Sequence, residues 1–287
     1  MKEKNTIKIK RYKSPCGVLL LGSFGEKLCL CDWQVEKHCD RVNQRLKRIL
    51  CAEFEISTSE IIEEAIEQLN EYFAGQRKEF NVPLLFVGTD FQKTVWNELL
   101  KIPFGKTISY GEMAKHIGRP QAVRAVANAN GANSISIFAP CHRVIGSDHS
   151  LTGYGGGLSA KKFLLELELL EKNKALFAVN NLDIVAGEAS EQIVDMPAPD
   201  CVFIGGSGGN LCKMLDIIYT KNSDCRVVIN AITLETLIEV VEYYKTRSEY
   251  DLEIVNVFAA RGKKLGAYNL MMAQNPVYIM TALKKGE

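Results

Sequence analysis

The sequence predicts an α/β protein, with an α+β first half and a second half in which strands and helices alternate. Three observations predict it. Apolar and charged residues alternate between residues 7 and 33 around the turn Ser14-Pro15-Cys16-Gly17, the mark of β-strands. Two short helical segments flank Gly118-Arg119-Pro120, a helix-turn-helix layout. Beyond residue 181, apolar strand-like runs alternate with helical ones, the pattern of an α/β sheet. A length of 287 residues accommodates two domains.

In chain order, Ile7 and Ile9 alternate with lysines, and residues 18–21 and 28–33 are apolar. Together they read as a strand pair. Cys29 and Cys31 are two apart and are expected on one face of a strand. With His38 and Cys39 nearby a zinc site is conceivable, but the spacing fits no ordinary ligand pattern. Small buried hydrophobes are the better reading, and no metal is expected. Ser59 caps an amphipathic helix to Phe73, with Ile61, Ile62, Ala65, Ile66, Leu69 and Phe73 as its apolar stripe. Thr89-Asp90-Phe91-Gln92 opens the next helix, with Val95, Trp96, Leu99 and Leu100 facing inward.

The two short helices span residues 110–117, behind Ser109, and 121–130. Between residues 101 and 124, Lys101, Lys106, Lys115, Arg119 and Arg124 face one acid, Glu112, a local charge of +4 in a chain whose net charge is +1. That is the footprint expected for phosphate contacts. The near-neutral total argues against broad non-specific nucleic-acid binding, so any DNA affinity rests on this patch. A helix over 158–170 follows, then strands at 182–186, 201–204, 226–229, 252–258 and 277–283, with helices at 210–219 and 234–247.

Composition narrows the class. Hydrophobic residues make up 47% and charged residues 24%, ordinary for a globular protein. No apolar run approaches the ~20 residues that span a bilayer. The basic start lacks the apolar core of a secretory signal. Nine cysteines are scattered without a regular framework, which points to a reducing, cytoplasmic setting.

The chemistry concentrates in Ala139-Pro140-Cys141-His142-Arg143-Val144. Pro140 stiffens the approach to Cys141. His142 can act as a base, directly or through water, or stabilise the thiolate that attacks electrophiles. A Cys-His pair alone also fits a buried structural cysteine. Its context narrows the choice: Arg-Ala-Val-Ala-Asn-Ala-Asn-Gly-Ala-Asn at 124–133 precedes it, and Gly-Tyr-Gly-Gly-Gly at 153–157 follows. From about residue 7 to residue 170 this order and spacing resemble the methylated-DNA–protein-cysteine methyltransferases, which repair O6-alkylguanine by direct reversal.

The resemblance implies a small ribonuclease-H-like sheet domain over 1–85 and a helix-turn-helix domain with the active site over 86–170. It implies single-turnover transfer of an alkyl group from O6-alkylguanine, and from O4-alkylthymine, to Cys141. The partner is double-stranded DNA, there is no membrane partner, and no cofactor is needed. Cys141, His142, Glu168 and Tyr110 are the implied catalytic set. Glu168 orients the histidine, with Glu166 as its rival. Arg124, Asn133, Arg143, Lys106 and Arg119 belong to the DNA-binding set. Arg124 fills the gap left by an extruded base, and Asn133 ties the helix-turn-helix to the cysteine before an active-site strand. Ser134-Ile135 follows Asn133 where many members carry Pro-Val or Pro-Ile. Pro140, Tyr154, Gly155 and Gly156 line the implied base pocket.

Family members usually end near residue 170. Here three further segments, at 203–210, 228–236 and 261–266 with Asn275-Pro276-Val277-Tyr278 behind, resemble the back half of the decarboxylating precorrin methyltransferase of cobalamin synthesis. The cofactor loop for S-adenosylmethionine, which opens that family's sheet, has no counterpart between Glu168 and Leu182. Residues 171–287 are therefore expected to form an incomplete Rossmann-like methyltransferase sheet, poorly packed or completed by a partner at its edge. Two rivals to alkyl transfer remain at this stage: a lesion-binding protein that transfers nothing, and a tetrapyrrole methyltransferase housed in the second half.

Overall fold

Strands β1 (Asn5–Ser14), β2 (Gly17–Phe24) and β3 (Lys27–Trp33) form an antiparallel meander, one strand more than the expected pair. In this computed structural model the described residues are 5–34, 36–206, 208–266, 268–273 and 275–286. Leu19, Leu20 and Leu21 run without a polar break because β2 is covered on both faces. Helix α1 (Glu36–Leu50) covers one face and leads to β4 (Ala52–Ile56), which pairs parallel with β1. Neither element was expected, since Val42 and Leu46 are the buried apolar anchors of an otherwise polar helix. Helix α2 (Glu60–Phe73) covers the other face, with Ser59 Oγ accepting from Ile62 N as its cap.

The register of β2 against β3 slips between Gly22 and Ser23, and Cys29 is left opposite no partner. This β-bulge turns Leu28 and Cys31 toward the α2 core, and Cys29 and Leu30 toward the α1 core. The expectation that Cys29 and Cys31 share a face therefore fails. The His38 side chain lies outside the described residues. Among the described residues no cluster of three metal-ligating side chains occurs.

Helix α3 (Asp90–Leu99) opens on a capping box between Thr89 and Gln92. Val95, Trp96 and Leu99 are buried, but Leu100 is 47% exposed. Leu100 is the cap residue after the helix, so the stripe it was assigned to has already ended. Strand β5 (Ile108–Ser109) leads into α4 (Tyr110–His116), capped by Ser109 and Glu112, and α5 (Val123–Gly131) follows the turn at Gly118 (φ 70°). Small side chains on α5 let it sit close to α3, where Trp96 Nε1 donates to Ala129 O at 2.8 Å. In place of an active-site strand, Cys141–Arg143 form a single 3-10 turn. It runs into β6 (Val144–Ile145), which pairs parallel with β5. That pairing brings the start of α4 beside the Cys-His-Arg turn. Helix α6 (Gly157–Leu176) closes the site and continues past residue 171.

The chain divides into a unit ending at residue 186 and a unit from residue 187 onward. Residues 182–186 are not a strand; Ile184 and Ala186 pack as irregular chain on the core of the first unit. The second unit holds α7 (Ala189–Gln192), β7 (Cys201–Ile204), α8 (Leu211–Lys221), β8 (Arg226–Ala231), α9 (Leu234–Lys245) and β9 (Tyr250–Val257). The hairpin β10 (Ala260–Leu265) and β11 (Tyr268–Ala273), and β12 (Val277–Lys284), complete it. Its main sheet has the order β7-β8-β12-β9, with β7 at an edge. Leu211, Leu215, Ile218, Val227, Val240 and Met280 are fully buried between sheet and helices, so the unit has a core of its own. Large apolar side chains such as Phe203, Val255, Val257 and Phe258 nevertheless stay exposed on its strands and the loop after β9, in keeping with the expected incomplete packing.

Candidate active site

Cys141 is 4% exposed and lies at the head of the 3-10 turn, its carbonyl accepting from Asn130 Nδ2 at 3.2 Å. Asn133, also buried, spends its amide on the approach to the cysteine. Its Oδ1 accepts from Ile135 N at 3.0 Å, and its Nδ2 donates to Ala139 O at 2.9 Å and to Cys141 Sγ at 3.2 Å. Between them, Ile137 adopts φ 72° while 1% exposed, a left-handed conformation costly for a β-branched residue. The surrounding bonds hold this strained corner. Burial pushes the Cys141 thiol up to about 11, although the Asn133 hydrogen bond pulls the other way. At neutral pH the resting cysteine is a thiol, and its reaction needs a base.

His142 and Glu168 are both fully buried, with His142 Nε2 2.9 Å from Glu168 Oε1. An ionised carboxylate only accepts, so Nε2 carries the proton and Nδ1 keeps a lone pair. Nδ1 has no hydrogen-bond partner among the described residues. Burial holds His142 below its ordinary range against the opposing pull of Glu168, so the imidazole is neutral and ready to take a proton. Burial alone would raise the Glu168 carboxyl, but hydrogen bonds and charge from His142 and Arg143 outweigh it and hold the group at about 2. The rival Glu166 is exposed and lies 3.6 Å from Lys162.

Arg143, expected among the DNA contacts, is instead 6% exposed and turned inward. Its Nη2 donates to Glu168 Oε1 at 2.8 Å, its Nε to both carboxylate oxygens at 3.1 Å and its Nη1 to Ile102 O at 2.7 Å. A guanidinium held by that fork cannot reach a phosphate.

Arg124 is exposed on α5, and Lys106, Lys115 and Arg119 are exposed nearby, Arg119 lying over the Phe91 ring at 5.4 Å. Lys101 is bonded to Glu98, just outside the basic stretch counted in the sequence. A cavity of about 550 Å³ lies between α5 and the loop before α6, lined by Arg41, Tyr110, Asn128, Gly153, Tyr154 and Gly155 among others. Tyr110 Oη donates to Thr152 O at 3.2 Å. The Tyr154 ring stands edge-on to Trp33, with centroids 5.9 Å apart. Gly156 lies against the same indole, where a Cβ would come within 2.5 Å of the ring. Pro140 borders a different cavity, behind the site, with Phe104 and Arg143.

Two buried polar side chains of the site went unnoticed in the sequence. Lys161 Nζ donates to Val144 O at 2.6 Å and Thr152 O at 2.7 Å, tying the cavity loop to β6. Tyr72 Oη donates to Glu168 Oε1 at 2.9 Å. For Lys161 a signal existed: it shares a helical face with Leu164 and Glu168 at spacings of three and seven, so a charge stands in a buried stripe.

A helix-turn-helix that carries a buried cysteine served by a neutral histidine and a fixed carboxylate defines a protein that uses a thiol on a nucleic acid. Comparison with known proteins agrees. Residues 7–86 match the family model for the ribonuclease-like domain of 6-O-methylguanine DNA methyltransferase, and residues 90–170 match that for its DNA binding domain. A methylated-DNA–protein-cysteine methyltransferase of Methanosarcina acetivorans is 46% identical over 157 residues, which cover 55% of this chain and 95% of the relative. One from Mycobacterium bovis is 61% identical over 104 residues, 36% of this chain and 63% of that protein. The crystal structure of the Mycobacterium tuberculosis O6-methylguanine methyltransferase is 42% identical, with a TM-score of 0.50, covering 60% of this chain and 99% of that one. The chain belongs to the methylated-DNA–protein-cysteine methyltransferase family. Residues 165–284 match the model for a precorrin methyltransferase domain.

Proposed function

We propose that the first unit repairs DNA by moving an alkyl group from O6-alkylguanine, and from O4-alkylthymine, in a duplex onto Cys141, once per molecule. The observation that carries this reading is the buried relay: a thiol held by Asn133, followed in sequence by a neutral His142 whose Nε2–H is fixed on Glu168. His142 Nδ1 takes the thiol proton, through a water in the manner of a triad histidine. The sulfur attacks the alkyl carbon, the C–O6 bond breaks with its electron pair on the base, and the proton passes to the departing guanine. The product is a thioether and an unmodified base, and that balance calls for no cofactor.

The base must leave the stack to meet the sulfur. Exposed Arg124 fills the gap it leaves, while Lys106 and Arg119 meet phosphates. The 550 Å³ cavity receives the base, with Tyr110 donating to it and Gly153, Tyr154 and Gly155 forming its wall, while Gly156, expected there, lies outside the lining against Trp33. Pro140 acts from below, by stiffening the turn. The cysteines form no disulfide among the described residues, which supports a reducing, cytoplasmic setting. No helix among the described residues is long and apolar enough to cross a membrane. The test is the intact mass after incubation with an O6-methylguanine duplex. One added methyl, mapped to Cys141, is the expected result. No gain in mass overturns the reading and favours a lesion-binding protein, whereas undiminished transfer by Cys141→Ala overturns it by placing the acceptor on another residue.

A further inference from the structure

Glu168 Oε1 is crowded: it accepts from His142 Nε2 at 2.9 Å, from Arg143 Nη2 at 2.8 Å and from Tyr72 Oη at 2.9 Å. Oε2 takes the backbone N–H of Gly105 at 2.9 Å and shares Arg143 Nε. His142, Arg143, Gly105 and Glu168 itself all come from the DNA-binding domain. Tyr72 comes from α2, in the ribonuclease-like domain, 96 residues before Glu168. Its ring is 1% exposed and packs edge-on to Phe73 and Phe104 and obliquely on Phe80. Burial and the adjacent carboxylate keep the phenol protonated, so it acts only as a donor here.

We propose that Tyr72 is a positioning residue for alkyl transfer, through which the ribonuclease-like domain sets the proton affinity of His142. The argument rests on the alkyl-transfer reading of Cys141. A carboxylate oxygen that already accepts from a phenol has less charge to offer the imidazole. With the phenol in place, Glu168 orients His142 without stabilising its protonated form in full. His142 stays neutral before the reaction and gives up its proton readily after it. Removing the phenol hydroxyl leaves Oε1 to His142 and Arg143, favours imidazolium and, at any pH below the raised titration, leaves less neutral His142 to take the thiol proton. The other charged and titratable groups facing this pair are Cys141, Lys161 and the edge-on Tyr154 ring beside His142, and Cys16 beside Tyr72. None of them hydrogen-bonds to Glu168.

The test is Tyr72→Phe in the full chain, which keeps the ring packing. Single-turnover methyl transfer from an O6-methylguanine duplex is followed against pH, and the His142 imidazole is titrated by 15N NMR. The expected result is an acid limb and a His142 titration both moved to higher pH. Transfer on that limb should be slower by roughly fivefold, the weight of one ordinary hydrogen bond. Superimposable profiles, a shift to lower pH, or an equal loss at every pH accompanied by a lower melting temperature would overturn the proposal. The NMR titration needs no turnover, so the two failures are separable. A parent protein that transfers no methyl sinks the alkyl-transfer reading, whereas an unmoved His142 titration sinks the role of Tyr72.

Discussion

Asn133 Nδ2 and Cys141 Sγ lie 3.2 Å apart, and the amide makes this contact while bracing the strained corner at Ile137. The bond favours thiolate over thiol, yet burial still holds Cys141 at about 11. Asn133→Ala should push the thiol up further and slow methyl transfer at neutral pH by roughly tenfold, the value of one bond to a developing charge. A pH–rate profile checks it: the loss should shrink as pH rises toward the thiol's own titration. A loss independent of pH would point to a displaced turn instead.

Much of this site is legible in the sequence, because its parts are local. Cys141, His142 and Arg143 are consecutive, Ser109 and Glu112 announce their capping box, and Glu168 stands among leucines at helical spacing. What escapes is long-range. Nothing near Tyr72 says that its hydroxyl meets a carboxylate 96 residues later, and nothing in the motif says that Arg143 points inward. The bulge at Cys29 is equally silent, since strict alternation is what a strand pattern assumes. The hairpin β10–β11 of the second unit carries no sequence signal, and the expected strand at 182–186 is irregular chain on the first unit's core, because a short apolar run says nothing of whether a neighbour exists to pair with it.

Glu168 gives the first unit an acid limit. Its carboxyl is held at about 2 against an ordinary 4.5, so its folded value is depressed. Stability from this source is complete above 4.5 and is lost as pH falls from there toward 2, on the order of 3 kcal/mol in total. Both tryptophans, Trp33 and Trp96, belong to the first unit, so their fluorescence reports its unfolding alone. Urea midpoints should fall steeply below pH 4.5 in the parent and more gently in Glu168→Gln. At pH 7 the variant should be the less stable, because Arg143 is then buried without its counter-charge. Parallel curves would show that Glu168 is not ionised in the folded protein.

Arg124 and the lysines should separate by substrate. Arg124→Ala should slow repair of duplex DNA by roughly tenfold or more, since holding a base out of the stack is a matter of a few kcal/mol. Transfer from the free base, which needs no extrusion, should be nearly unchanged. Lys106→Ala and Lys115→Ala should weaken binding alike for all sequences and reduce the salt slope by about one each. Rates on duplex and free base, with affinity against salt, are the measurements. Equal losses for Arg124→Ala on both substrates would remove it from the extrusion step.

The precorrin-like unit should not bind S-adenosylmethionine. Such a cofactor needs a strand-loop-helix whose glycines admit it and an acid at the end of the next strand for the ribose hydroxyls, by analogy with dinucleotide sites. Among the described residues, β7 is an edge strand and no strand lies between α6 and β7. The glycines after β7, Gly205 and Gly206 with the turn at Gly208 and Gly209, resemble those after the fourth strand of the precorrin family, where the resemblance implies substrate. Glu188 is the acid beside that turn, and its Oε1 accepts from Asn210 Nδ2 at 3.3 Å. A partial site of this kind forgoes several hydrogen bonds of ~1 kcal/mol each, enough to take binding out of the useful range. Calorimetric titration of the full chain with S-adenosylmethionine should register no saturable heat. Micromolar binding would mean that the sheet edge has been rebuilt into a cofactor site, and a second methyltransferase activity would then have to be sought in this unit.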